Sequence, residues 1–385
     1  MDNKAYWIAL NMVEGVGRIT YNKLITHFGS PENVFSASHN ELMDVEGIGK
    51  KTANSIKSFR FEEDIKKELD RIEKSKTDVL TIADSEYPSS LKAIYDPPPV
   101  LYVKGKILKN DAIAVGVVGS RSPTVYGKLV TEKISKGIAE MGITVVSGMA
   151  RGIDSIAHKS AINCGGRTIA VLGCGLNVVY PPENFRLMDE IMNNGAVISE
   201  FPMSAKPDKM NFPQRNRVIS GLSLGIVVVE AAEKSGSLIT ARHAIEQGRE
   251  VFAVPGSVNS PKSHGTNRLI KMGAKLIEDA EDIIEEFPPD VRSFLKPIEK
   301  KQIEDNDLTE DERFIYSFIG AEPDHIDTLF FYRCRAGSYR YHHRAEQFAC
   351  GDGFWYTRET GAKRLDKTAF REDVCEMLIV RWLSS

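Results

Sequence analysis

Between residues 113 and 287 short β-branched runs alternate with helical segments, and the runs are apolar at nearly every position rather than at every second one. A half-exposed strand alternates, whereas a strand apolar throughout is buried on both faces. Such strands require a parallel sheet covered by crossover helices. Candidate strands occupy 113–118, 143–147, 168–172, 196–199, 225–229 and 250–253, and candidate helices 126–141, 153–163, 183–194 and 238–247. The expected fold class is α/β, a doubly wound, mostly parallel Rossmann-like sheet. A small all-α domain is expected ahead of it.

The domain boundaries expected are 1–75 for the helical part, 76–290 for the α/β part, 291–307 for a charged linker and 308–385 for a terminal region. In the helical part Val13-Glu14-Gly15-Val16-Gly17 recurs as Val45-Glu46-Gly47-Ile48-Gly49, each followed by an amphipathic segment. Charge-rich residues 60–76 read as a solvated face. A helix over 308–320 is expected, with Thr309 as its cap and Glu312 closing a capping box. From about residue 329 the composition changes: 26 Lys and 14 Arg precede that point, 2 Lys and 8 Arg follow it, and three of the five cysteines lie beyond it. Two readings compete, an aromatic–basic module and a tail produced by a reading-frame change. The missing periodicity favours the second.

The net charge is −3, so a polyanion-binding chain of this composition must gather its basic residues locally. No apolar run approaches the roughly 18 residues of a membrane span, and no secretory signal is visible. The cysteines form no CxxC pair, which argues against zinc and disulfides; no metal is expected, and a cytoplasmic location is.

Ligands of such sheets bind beyond the carboxyl ends of the strands. There the sequence places Gly119-Ser120-Arg121, then Gly148 to Asp154 with Arg151, then Gly173-Cys174-Gly175. A long loop with Phe212, Arg215, Asn216 and Arg217 follows, and finally a loop with Lys262, His264 and Asn267. Four arginines thus map to one sheet edge, where a planar guanidinium suits phosphate and Phe212 offers a face to an unpaired base. At least one of the four is expected to be structural. The first loop is not GxGxxG and no GxxxxGK[ST] exists, so no cofactor is expected. Asp154 and His158 read as a helix-start carboxylate bonded to a histidine one turn on, and Cys174 as a buried thiol. Glu200 and Glu230 could be general bases or could orient an arginine, the second being preferred. His264 could meet phosphate or solvent.

Several of these motifs, in this order, resemble the DNA-processing protein A (DprA/Smf) family. They are Gly119-Ser120-Arg121, Ser147-Gly148-Met149-Ala150-Arg151-Gly152-Ile153-Asp154 with His158, and Gly173-Cys174-Gly175 leading to Tyr180-Pro181-Pro182-Glu183-Asn184. Phe212-Pro213-Gln214-Arg215-Asn216-Arg217, Ser235-Gly236-Ser237-Leu238 and Val254-Pro255-Gly256 continue the series. The resemblance implies sequence-independent single-stranded DNA binding, protection of incoming DNA during natural transformation, loading of the RecA recombinase, a homodimer and no catalysis. It also implies a sterile-alpha-motif-like or helix-hairpin-helix N-terminal domain. The expected DNA contacts are Gly119, Ser120, Arg121, Gly148, Arg151, Phe212, Arg215, Asn216, Arg217, Lys262 and Asn267. Two other readings remain. One is a nucleotide phosphoribohydrolase of the lysine-decarboxylase-like type, which shares the Gly265-Thr266 turn but not the full PGGxGTxxE pattern. The other is a protein-binding scaffold.

Overall fold

The computed structural model describes residues 3–295, together with four short strand fragments, Asp324–His325, Gln347–Ala349, Trp355–Thr357 and Arg364–Leu365. The expected helix over 308–320 and, apart from those fragments, the tail from about 329, with Cys334, Cys350 and Cys375, lie outside the described residues.

Six helices open the chain: α1 (Asn3–Met12), α2 (Arg18–Phe28), α3 (Pro31–Ser36), α4 (His39–Met43), α5 (Lys50–Ser58) and α6 (Phe61–Lys74). The repeated glycine motifs form the turns that enter α2 and α5. Gly15 and Gly47 sit at φ +86° and +85°, a left-handed conformation that favours glycine. Each turn is tied to the other hairpin, Glu14 to Lys51 at 3.5 Å and Glu46 to Lys23 at 3.1 Å. The charge-rich α6 presents Glu62, Glu63, Lys66, Lys67 and Asp70 to solvent, while its inner face buries Ile65 and, unusually, the carboxylate of Glu68.

Strand β1 (Asp78–Thr81), helix α7 (Ser89–Lys92) and strand β2 (Val100–Gly105) come next. Then follow β3 (Ala114–Gly119), α8 (Val125–Glu140), β4 (Thr144–Ser147), α9 (Ile153–Asn163), β5 (Thr168–Val171), α10 (Phe185–Asn194) and β6 (Gly195–Ser199). The second half runs α11 (Asn211–Leu222), β7 (Gly225–Val229), α12 (Ser237–Glu246), β8 (Glu250–Ala253), α13 (His264–Lys271), β9 (Lys275–Leu276), α14 (Glu281–Ile284) and α15 (Pro289–Phe294). The sheet has nine strands in the order β1-β2-β6-β5-β4-β3-β7-β8-β9. The strands from β6 to β9 pair in parallel, while β1 and β2 add an antiparallel edge.

Alternation along the strands assigns each face its core. Val115, Val117, Val227 and Val229 pack with Ile134 and Ile138 of α8 and Ala157 of α9. Val118, Ile226 and Val228 pack on the other face with Ile219 of α11 and Ala241 of α12. Each such fully buried Val or Ile contributes about 1.5–3 kcal/mol of transfer free energy. The described residues 3–295 belong to one compact unit, of which α15 is the last helix.

From β3 the chain winds outward one way through β4, β5 and β6, then returns to β7 on the other side of β3. The winding direction therefore reverses between β3 and β7, and a crevice opens beyond their carboxyl ends.

Candidate nucleic-acid interface

The first wall of the crevice is the loop after β3, which carries Gly119, Ser120 and Arg121. Ser120 accepts a bond from the Ile153 amide at 3.1 Å, so this loop is stitched to the start of α9. Thr124 caps α8 through the Gly127 amide at 3.1 Å. Its own amide donates to Glu230 at 2.8 Å, and its hydroxyl donates to the same carboxylate. Glu230 therefore orients a threonine and a helix start, not the arginine expected of it. Glu230 and Met149, which follow β7 and β4, have positive φ of 51° and 54°. Two non-glycine residues in this sparsely populated region flank one crevice, a pattern common at functional sites.

The second wall is the turn after β4. Asp154, buried in the first turn of α9, accepts from the amides of Gly148 at 3.2 Å and Ala150 at 3.3 Å. Burial pushes its carboxyl up, against the opposing pull of Arg215 and the two amides. The expected bond from His158 to Asp154 is absent. His158 instead bonds Thr168 through Nδ1 at 2.6 Å, because its ring turns towards β5 beneath the sheet edge. Burial, with Arg215 nearby, holds it neutral and depresses it to about 3. Cys174 is buried, its thiol raised to about 11 by desolvation.

The third wall corrects the sequence reading. Residues 211–217 begin the helix α11 and are not a loop. Pro213 sits in the first helical turn, where its missing N–H breaks no intrahelical bond. On a helix, residues two apart point in nearly opposite directions. Arg215 accordingly faces the crevice and Arg217 faces away. Arg215 donates to Gly148 O at 2.8 Å and to Val171 O, bridging the ends of β4 and β5. Burial lowers it to about 10, although Asp154 pulls the other way. Its guanidinium comes so close to Gly148 that a Cβ there would lie 2.7 Å from Nη2, so the approach depends on glycine. Arg217 is 2% exposed and lies between Asp96 at 3.3 Å and Glu200 at 2.5 Å; Arg18 of α2 meets the same Asp96 at 3.0 Å. Arg217 is removed from the expected DNA contacts: two carboxylates neutralise it on the far side of α11.

Phe212, three residues before Arg215, lies under two cations, Arg121 at 5.7 Å and Arg215 at 6.0 Å from the ring centroid. Tyr180 is its aromatic neighbour at 5.5 Å. The ring rests on Gly173, where a Cβ would meet Cδ1 at 2.7 Å. Arg121, Arg215, Phe212 and Tyr180 line a cleft of about 520 Å³ that extends past Lys209 and Asn216 to Ser235 and Ser237 at the start of α12. Arg151 stands at a smaller adjoining recess, exposed and paired with Glu183, with Nη2 to Oε2 at 3.1 Å.

The structure thus brings Gly119, Arg121, Gly148, Arg151, Phe212, Arg215 and Asn216 to one place, with Ser120 in the adjoining loop. Lys262 donates to Ser122 O and so reaches the first wall. The Asn267 side chain is occupied with both backbone groups of Gly256, at 3.2 and 2.9 Å, and closes the loop after β8 instead. His264 is exposed and opens α13, with Nε2 3.3 Å from Val258 O. Tyr180 and Lys209 were not among the expected contacts. Tyr180 belonged to a motif noted in the sequence, whereas Lys209 lies in a loop with no pattern to mark it.

Arginine and lysine gathered around an aromatic ring, at the switch point of a Rossmann-like sheet, define a polyanion-binding α/β protein. Residues 78–288 match the family described as DNA recombination-mediator protein A, and residues 30–59 match the helix-hairpin-helix motif. Protein Smf of Synechocystis sp. is 42% identical over 285 residues, spanning 71% of this chain and 70% of its own length. The X-ray structure of DNA processing protein A from Streptococcus pneumoniae superposes with a TM-score of 0.65 at 38% identity, covering 74% of this chain and 98% of that one. DNA processing protein A from Helicobacter pylori, whose structure is described for its single-stranded DNA binding mode, superposes with a TM-score of 0.50 at 32% identity, over 55% and 94% of the two chains. The chain belongs to the DprA/Smf family of recombination mediators.

Proposed function

We propose that this chain binds single-stranded DNA without sequence preference at the β3–β7 crevice. The observation that carries the reading is the placement of Arg121 and Arg215 over Phe212, since unpaired nucleic acid offers both groups such a site recognises, phosphate and an open base face. Arg121, Arg215 and Arg151 take phosphates, Phe212 stacks, and Gly119, Ser120, Gly148 and Asn216 admit the backbone closely, with Lys262 extending the path. The Helicobacter pylori relative supports the ligand. Membership of the family supports the wider role: protection of incoming DNA in natural transformation, delivery to RecA, and action as a cytoplasmic homodimer without catalysis.

Fluorescence anisotropy with single- and double-stranded oligonucleotides at two salt concentrations tests this. The single strand should bind more tightly. Arg121→Ala should weaken all sequences alike and flatten the slope of log K against log salt by about 0.7 for each phosphate no longer neutralised. Phe212→Ala should cost about 1–3 kcal/mol of binding. Wild-type affinity in both variants and in the double variant would remove the site.

A further inference from the structure

Of the groove's two aromatic groups, Tyr180 stands on the loop after β5 and Phe212 in the first turn of α11, and that loop and the segment leading into α11 are both held from the N-terminal helices. The chain leaving β6 towards α11 begins at Glu200. Asn11 of α1 donates to the Glu200 carbonyl at 3.1 Å. Three residues on, the Met203 amide donates to Glu68 Oε1 of α6 at 2.6 Å, and Arg71 donates to the other oxygen of that carboxylate at 3.1 Å. Met203 O then accepts from the Asn177 amide at 2.9 Å, while the Gly175 amide reaches Ala205 O at 2.9 Å. These bonds tie the loop that leads to Phe212 to the loop that carries Tyr180. The second loop has its own tie, since Ser75 just after α6 donates to the Asn177 side chain at 2.8 Å. On the far side of α11, Arg217 reaches α2 through the relay Glu200, Arg217, Asp96, Arg18.

Resting on the groove reading above, we propose that the N-terminal helices act as a brace that sets the Tyr180–Phe212 pair, with Glu68 and Arg18 as positioning residues for single-stranded DNA. Neither residue lines the cleft. Left unbraced, the 200–210 segment and the loop after β5 would sample many conformations, and ordering them would be charged against every binding event. Glu68 is a fully buried carboxylate, a costly group whose retention is consistent with fixing one geometry. The helical domain thereby acquires a role in strand capture at a groove it does not line.

The test is a coupling experiment on the full chain. Glu68→Leu and the milder Arg18→Gln are made in the wild-type and Phe212→Ala backgrounds, and affinity for a dT oligonucleotide is measured well below each variant's unfolding temperature. In the wild-type background each should lower affinity by about threefold or more, with the salt slope unchanged; in the Phe212→Ala background the loss should shrink towards none. A merely structural residue would lower affinity equally in both backgrounds, and that result overturns the brace. So does unchanged affinity in Arg18→Gln while Phe212→Ala is weakened. If wild type fails to bind, the groove reading falls and the brace with it; if Phe212→Ala binds as wild type does while Arg121→Ala is weakened, the groove reading stands and the brace falls.

Discussion

Helix α11 carries two buried arginines into two unlike surroundings. On one side Arg217 sits in a seam where two arginines meet two carboxylates, so the charges cancel. On the other, Arg215 is held mainly by carbonyl oxygens of β4 and β5 and faces Asp154, while Arg121 and Lys209 nearby have no carboxylate within 4 Å among the described residues. The seam is closed to any further ion, whereas the groove keeps cationic capacity in reserve. Burial alone does not separate a binding arginine from a structural one. The partners do, because carbonyl dipoles hold a guanidinium in place without cancelling its charge.

The largest effect that would break this comparison is on stability. Arg217→Met leaves Glu200 and Asp96 without their shared partner inside the protein. Removing one member of a buried pair costs about 3–5 kcal/mol. Arg121→Met, at an exposed position with no ion pair, should stay within about 0.5 kcal/mol of wild type. Urea unfolding of both variants measures the gap, and comparable losses would mean that seam and groove are not distinct in kind.

Acid should act on His158 and on Glu200 of the seam in opposite directions. His158 of α9, fully buried near Arg215, has its pKa depressed from 6.5 to about 3 by burial. A group whose folded pKa lies below its unfolded value holds its full stabilisation above the unfolded pKa and loses it as pH falls towards the folded one. Stability should therefore drop below pH 6.5 by up to about 1.4 kcal/mol per pH unit. Glu200 in the seam is shifted upward, first by desolvation, so its carboxyl takes a proton more readily in the folded state and adds stability as pH falls. Comparing wild type with His158→Leu between pH 7.5 and 5 isolates the histidine. Thr168 keeps its bond to Val145 O at 2.8 Å in that variant. The two curves should converge as pH falls, and curves that stay parallel would refute the assignment.

Much of this was legible in the chain. Six strands of the sheet announced themselves because burial on both faces leaves no polar residue to interrupt the pattern, as in Gly225–Val229. The antiparallel edge was missed: β1 is a half-exposed four-residue strand, and β2 follows a proline run that reads as a boundary. Strand-end loops pointed to Arg121, Gly148 and Arg151 because crossover topology fixes where such loops emerge. Arg215 and Arg217 looked equivalent only while their segment was read as a loop; the helix puts them on opposite sides. The partners of Arg217 lie 121 and 17 residues away, at Asp96 and Glu200, and no local pattern reports pairings of that kind.

Arg151 supplies the finest distinction, because it resembles both cases. It stands at the groove's smaller recess, yet Glu183 holds it by two hydrogen bonds. Both side chains are largely exposed, at 60% and 49%, so solvent screens the pair and it adds little to stability. A phosphate can therefore compete for this guanidinium in a way it cannot for Arg217. Glu183→Gln removes the competitor and a negative charge from the path of the strand. It should leave the unfolding midpoint in place, tighten single-stranded DNA binding, and steepen the salt dependence of log K by about 0.7 if one further phosphate is engaged. Arg151→Gln should move the slope the other way. If the slope is the same in all three proteins, Arg151 belongs with the structural arginines and the strand's path ends at Arg121.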